Sequence, residues 1–192
     1  MAPIHKAGSA TDQAPSYRPI SLLSLLGKIL ERLLARHLRK FLDDNRIIQN
    51  EQFGFMPHHS TTQQLLRINE FVAEGFGRRM KTAIIFLDVE KAFDRLWING
   101  LLAKCILADM PTWLTAILKS FLTNRKFQVR VNTNLSETKP TRAGVPQGSV
   151  LGPILFTLYM SDLKAPEPTK LALYADDAAF YAIEHNNFSR QS

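Results

Sequence analysis

Asp176 and Asp177 stand side by side between two short apolar runs, Leu171–Tyr174 and Ala178–Ile183. Adjacent carboxylates hemmed in by alanine and aromatic side chains repel each other unless a cation lies between them. Oxygen-only ligands suit Mg2+, which takes one or two carboxylates and completes its shell with water and phosphate. Tyr174, Phe180, Tyr181 and Ile183 favour strands, and Asp tolerates tight-turn backbone angles. The pattern therefore predicts a hairpin with Asp176-Asp177 at its two tip positions. Taken alone, the same residues also fit a plain surface turn.

A third carboxylate raises the stretch above a turn. Asp88 ends the apolar run Ala83–Leu87, which reads as a strand buried on both faces. A carboxylate at the end of a buried strand is rigidly held yet open to ligand. Glu90 and Asp94 read instead as opening the next helix. Asp88 with Asp176 and Asp177 supplies the number of carboxylates that two-metal phosphoryl transfer requires. Ala143–Ile154 adds a loop whose glycines admit close backbone approach and whose Ser149 can cap a following helix.

The elements that must position these groups can be read from spacing. Residues 1–16 are loop or a short strand. Pro19 biases Arg18 toward extended geometry, and a fixed Arg grips phosphate bidentately; an ordinary surface Arg is the alternative. Leu22–Leu42 reads as one long helix with Leu26, Ile29, Leu30, Leu33, Leu34, Leu38, Phe41 and Leu42 on its apolar face. Lys28, Arg32, Arg36, Arg39 and Lys40 form a basic stripe at steps of three and four. That stripe is either a solvated face or a surface that tracks a nucleic-acid backbone, with Arg32, Arg36 and Arg39 as its candidates. Ile47–His59 is loop, in which Gln52-Phe-Gly-Phe55 could admit a base or template backbone. Ser60-Thr-Thr-Gln63 is a capping-box pattern opening a helix to about Gly75. Glu90–Ala108 is mostly helical, and a second helix runs from Pro111 to about Leu122. Lys126–Val131 alternates as a half-buried strand, with Glu137–Arg142 as its returning partner. Val150–Leu163 is an apolar helix under the sheet, broken by Pro166 and Pro168. The order argues an α+β fold with helices on one face of an antiparallel sheet.

The net charge of +7 points to a polyanionic partner. The single cysteine, Cys105, excludes an internal disulfide framework and reads as a small core residue; no Cys/His cluster has structural-zinc spacing. His58-His59 is loop. No apolar run approaches a membrane span, and residues 1–14 contain no signal-peptide core.

Taken in order, Ser16–Ser24, Gln52–Phe55, His59–Thr62, Phe86–Asp94, Gly144–Pro153 and Tyr174–Asp177 resemble the reverse transcriptase domain of non-LTR (LINE-type) retrotransposons, most closely the jockey-like group. The resemblance runs through nearly the whole chain. It implies a right-hand polymerase with fingers in residues 1–80 and palm in residues 81–192. The palm would be truncated after the Asp-Asp hairpin and the thumb absent, leaving an open sheet edge, exposed apolar surface and a domain not competent alone. The implied activity is RNA-directed DNA polymerisation on an RNA template, a DNA primer 3′-hydroxyl attacking a dNTP. Asp88, Asp176 and Asp177 would be catalytic and would hold two Mg2+ ions, with Mn2+ as an alternative. Arg18 would lie near the triphosphate, with Lys6 a lesser candidate. Phe93 would stand beneath the sugar, and Gln147 and Gly148 would contact the nucleotide. The implied location is intracellular, in nucleus and cytoplasm. Met56 replaces the family's usual Arg and removes one cation. Two other readings stay open: an inactive, nucleic-acid-binding relic of such an element, and an RNA-dependent RNA polymerase, against which Phe93 speaks.

Overall fold

The sequence over residues 184–192 is polar and reads as a tail; a computed structural model describes residues 1–184, so all but the first residue of that stretch lie outside the described residues. In chain order the elements are β1 (Ala2–His5), β2 (Tyr17–Ile20), α1 (Leu25–Asp44), α2 (Thr61–Gly77), β3 (Lys81–Leu87), α3 (Ala92–Arg95), α4 (Ile98–Leu107), α5 (Thr112–Leu122), β4 (Lys126–Phe127), β5 (Arg130–Val131), β6 (Asn134–Leu135), β7 (Lys139–Pro140), α6 (Leu151–Tyr159), β8 (Lys170–Tyr174) and β9 (Asp177–Glu184). The chain forms two compact units. One comprises residues 1–47 and 91–159, the other residues 48–90 and 160 onward. Each unit draws residues from both sides of position 80.

The first unit is mostly helical. Its core is Leu38, Leu101, Leu114, Leu118, Leu122, Leu151, Leu155 and Phe156, with Cys105 fully buried among them. Ser24 caps α1 by accepting from the Gly27 amide at 3.1 Å. The broad apolar face expected of this helix is only half used. Leu34, Ala35, Leu38 and Leu42 are buried, whereas Leu26 is 79 % exposed and Ile29, Leu30 and Leu33 also face outward. The helix meets α6, and its His37 packs edge-on against Trp113 of α5. The expected Glu90–Ala108 helix is interrupted at Leu96–Trp97, separating α3 from α4. The expected strand at Lys126–Val131 is likewise two short ladders, β4 with β7 and β5 with β6. α6 ends at Tyr159, four residues short of the expected Leu163.

The second unit is a three-stranded antiparallel sheet in the order β3-β9-β8, packed on α2. Ser60 and Gln63 form the expected capping box with both arms present. The pleat sorts the sheet's side chains. Ala172, Ala179, Tyr181 and Ile84 pack with Ile68 and Phe71 of α2. Leu171, Leu173, Ala178 and Phe180 turn to the other face, against Leu163 and Ala165. Contrary to expectation, β3 is not buried on both faces. It is an edge strand, and Ile85, Phe86 and Leu87 are all exposed. A continuous apolar run without alternation did not distinguish a central strand from an edge. Beside β8, residues 51–53 add a short parallel contact: the Phe53 amide donates to Leu173 O and the Leu173 amide to Glu51 O, each at 2.9 Å.

Candidate active site

The register of the second unit brings two of the three carboxylates together. Leu87 pairs with Ala178, so the next position outward sets Asp88 beside Asp177. Tyr174 pairs with Asp177, leaving Ala175 and Asp176 as the two tip residues of the hairpin. The tip therefore lies one residue earlier than the sequence pattern predicted. Asp177 is the first residue of β9 rather than a turn residue, and the left-handed tip position, φ 60°, falls on Ala175. By alternation Asp88 and Asp177 share the face of the sheet that α2 covers. Both line a cavity of about 380 Å³ with Gln64, Leu65 and Phe86.

The Asp177 charge is not at ease. Desolvation raises the Asp177 carboxyl above its ordinary range, and the neighbouring charges of Asp176 and Asp88 raise it further. Like charges held this close favour proton uptake or a cation. Among the described residues, no three carboxylate, imidazole or thiolate groups converge closely enough to enclose an ion by themselves. Two facing carboxylates with a third at the tip still fit Mg2+, because that ion keeps several positions for water and phosphate.

The hairpin tip is held by residues that periodicity did not mark. Gln52 is 2 % exposed. Its Oε1 accepts from the Ala175 amide at 3.1 Å and from the Gly54 amide at 2.8 Å, and its Nε2 donates to Ala175 O at 3.3 Å. A Cβ on Gly54 would collide with the Ala175 backbone. The Gln52–Phe55 stretch, read from sequence as a surface for a base or template, is thus in part a brace for the Asp hairpin. The sequence signal was only a Gln two residues before a Gly.

The remaining candidates lie in the first unit. Arg18 is exposed on β2, opposite Ile4. Phe93 is half-buried and stacked on Phe156, with centroids 5.0 Å apart. Gln147 donates from Nε2 to Asp94 Oδ1 at 3.0 Å and accepts at its backbone O from the Ser21 amide at 2.8 Å. Gly148 adopts φ 91° against Ile20 and Ser21, a conformation that L side chains rarely adopt. Ser149 caps α6 as expected, accepting from the Gly152 amide at 2.8 Å. A second cap was not foreseen. The buried Glu31 of α1 accepts from the Val150 and Leu151 amides at 2.7 and 3.0 Å. Arg32 and Arg36 are exposed and Arg39 half-buried on the same helix.

A family model described as "Reverse transcriptase (RNA-dependent DNA polymerase)" matches residues 4–191. The chain belongs to the reverse transcriptase family. It is 42 % identical over 184 residues to the RNA-directed DNA polymerase from mobile element jockey and, to the same degree, to the probable RNA-directed DNA polymerase from transposon BS, both of Drosophila melanogaster. These alignments cover 92 % of the chain and 20 % of each relative, so the chain spans about a fifth of their length. The jockey-like resemblance seen in the motifs is borne out. Among solved structures, apo telomerase from Candida tropicalis, truncated from its C-terminal domain, superposes with a TM-score of 0.57 over 80 % of the chain and 34 % of the telomerase. At 16 % identity that likeness speaks for the reverse transcriptase fold alone. Among the described residues, no helix is long and apolar enough to cross a membrane.

Proposed function

We propose that this reverse transcriptase domain extends a DNA primer on an RNA template, with Asp88, Asp176 and Asp177 as its catalytic carboxylates. The observation that carries the reading is the meeting of Asp88 and Asp177 at the outer end of the β3–β9 ladder, where desolvation and then the charges of Asp176 and Asp88 raise the cost of ionising Asp177. When bound there, Mg2+ (or Mn2+) would supply charge neutralisation and acidify the primer hydroxyl; a two-ion centre would serve both the attacking and the leaving oxygen. The chain's own residues orient and hold. Asp88 and Asp177 present oxygen ligands from rigid strand ends, and Asp176 supplies a third at the turn.

In the same reading Arg18, Gln147 and Gly148 contact the dNTP. Phe93, braced by Phe156, limits the sugar to one without a 2′-hydroxyl. Arg32, Arg36 and Arg39 would follow the template–primer backbone by charge and shape, as copying any sequence requires. Residues 1–80 would act as fingers and residues from 81 onward as palm, in an enzyme working in nucleus and cytoplasm.

The test is primer extension by the reverse transcriptase carrying this domain. Asp88→Asn and Asp177→Asn should each lower turnover by ~1,000-fold or more, about 4 kcal/mol of barrier, with the circular dichroism spectrum unchanged. Near-normal extension by either variant would remove the assignment. An unmodified protein without metal-dependent extension would point to a nucleic-acid-binding relic.

A further inference from the structure

We infer that Gln52 is a positioning residue for the catalytic carboxylates: it fixes the strained tip of the hairpin that presents Asp176 and Asp177. The inference rests on the metal-centre reading above and adds a residue to it. Three facts converge on the same peptide. Ala175 sits at φ 60°, where a residue with a Cβ is disfavoured. Such a conformation persists only where its surroundings impose it. The Gln52 carboxamide does so from both sides, accepting from the Ala175 amide and donating to its carbonyl. The carboxamide is itself immobile, because Oε1 also accepts from the Gly54 amide at 2.8 Å and the side chain is buried.

The brace is anchored in turn. Backbone hydrogen bonds tie residues 51 and 53 to Leu173. Gln64 of α2 donates from Nε2 to both Glu51 O and Leu173 O, at 3.0 and 3.1 Å, riveting the segment to β8. Gly54 lets this segment lie directly on the tip, since any larger residue would meet the Ala175 backbone. One residue beyond Ala175 stands Asp176, and two beyond it Asp177, so a rotation at the tip swings one carboxylate and tilts the other. The effect falls on turnover, because misplacement of a reacting group by about 1 Å costs on the order of 100-fold in rate.

The experiment is Gln52→Met, which keeps side-chain length and removes both hydrogen-bonding functions. The expected result is a 10- to 100-fold fall in kcat with KM for dNTP and affinity for primer–template unchanged. Amide exchange should accelerate at Ala175 and Asp176 and stay slow along β3. Adding Ala175→Gly, which relieves the backbone strain, should recover most of the lost kcat. A purely structural role would instead lower the melting temperature and would not be rescued at the tip. Should Gln52→Met not fold, Gly54→Ala serves in its place: it leaves Gln52 intact but lifts the segment off the hairpin, and should reproduce the kcat loss. Asp88→Asn, run alongside, separates the two claims. If Asp88→Asn is inactive while Gln52→Met turns over normally, or if its loss is not recovered by Ala175→Gly, the positioning role is overturned. If Asp88→Asn itself extends primers normally, the metal-centre reading falls and takes this inference with it.

Discussion

At the scale of single residues, the proposed chemistry turns on the Asp177 carboxyl. Asp177 is exposed, yet its carboxyl is held above the ordinary value of about 4 by desolvation and by Asp176 and Asp88. A carboxyl with a raised folded-state value favours the fold when protonated. That contribution is present at pH below the ordinary value and is lost as the pH rises through it to the raised one. At neutral pH the ionised Asp177 therefore works against the fold, modestly, because solvent screens an exposed group. Asp177→Asn should melt slightly above the unmodified protein in metal-free buffer at pH 7, and the difference should vanish near pH 3. Added Mg2+ at pH 7 should raise the melting temperature of the unmodified protein more than that of the variant. Thermal melts at the two pH values, with and without Mg2+, check both halves. The trade is of a kind common at active sites, where function requires groups that cost stability. Cys105 is the opposite case: a thiol pushed up to about 11 by burial and doing nothing but fill space in α4.

At the scale of elements, what the sequence revealed was whatever local pattern decides. The Ser60–Gln63 capping box, the Ser149 cap and the strand ending at Asp88 are encoded within a few residues, and each is found where the pattern put it. What stayed illegible depends on partners far along the chain. Gln52 lies 123 residues from Ala175, and Glu31 lies 119 from Val150, so no window of periodicity contains either pair. The one-residue error at the hairpin tip has the same origin. Asp is the better turn former, but the tertiary brace places Ala175 in the left-handed position instead. On α1 the stripe of leucines showed an amphipathic helix but not which part of the stripe would find a neighbour. Glu31 shows what a tertiary cap is worth. It satisfies two of the amides that the N-terminus of α6 would otherwise leave unpaired, and its charge complements the helix dipole. Glu31→Ala should destabilise the protein by about 2–4 kcal/mol, because it strands two donors, one buried and one half-buried. Glu31→Gln, which keeps one acceptor oxygen, should cost roughly half as much. Denaturant midpoints at constant slope would show this, and equal losses for the two variants would mean that the charge rather than the geometry matters.

At the scale of the whole molecule, the question is what the excess of positive charge is for. A net charge of +7 is not needed to fold and works weakly against compaction, so its use lies in association. The basic stripe of α1 is the most concentrated expression of that charge, and its members are not equivalent. Lys40 is tied to Asp44 at 2.8 Å, whereas Arg32 and Arg36 are exposed and make no ion pair among the described residues. An unpaired surface Arg is free to neutralise a phosphate and release its condensed counterion; each phosphate neutralised on a duplex adds about 0.9 to the slope of log K against log salt. Binding of an RNA–DNA duplex by the 192-residue chain should therefore weaken steeply between 50 and 200 mM salt and vary little with sequence. Replacing Arg32, Arg36 and Arg39 together by Gln should reduce that slope by about 2 to 3. The half-buried Arg39 contributes the smallest share. Titrations of a fluorescent duplex at several salt concentrations give the slope directly. If the triple variant keeps the slope of the unmodified chain, the stripe is a solvated face and the duplex is held elsewhere on the molecule. If affinity falls while the slope stays the same, these arginines act through packing on their aliphatic stems rather than through charge.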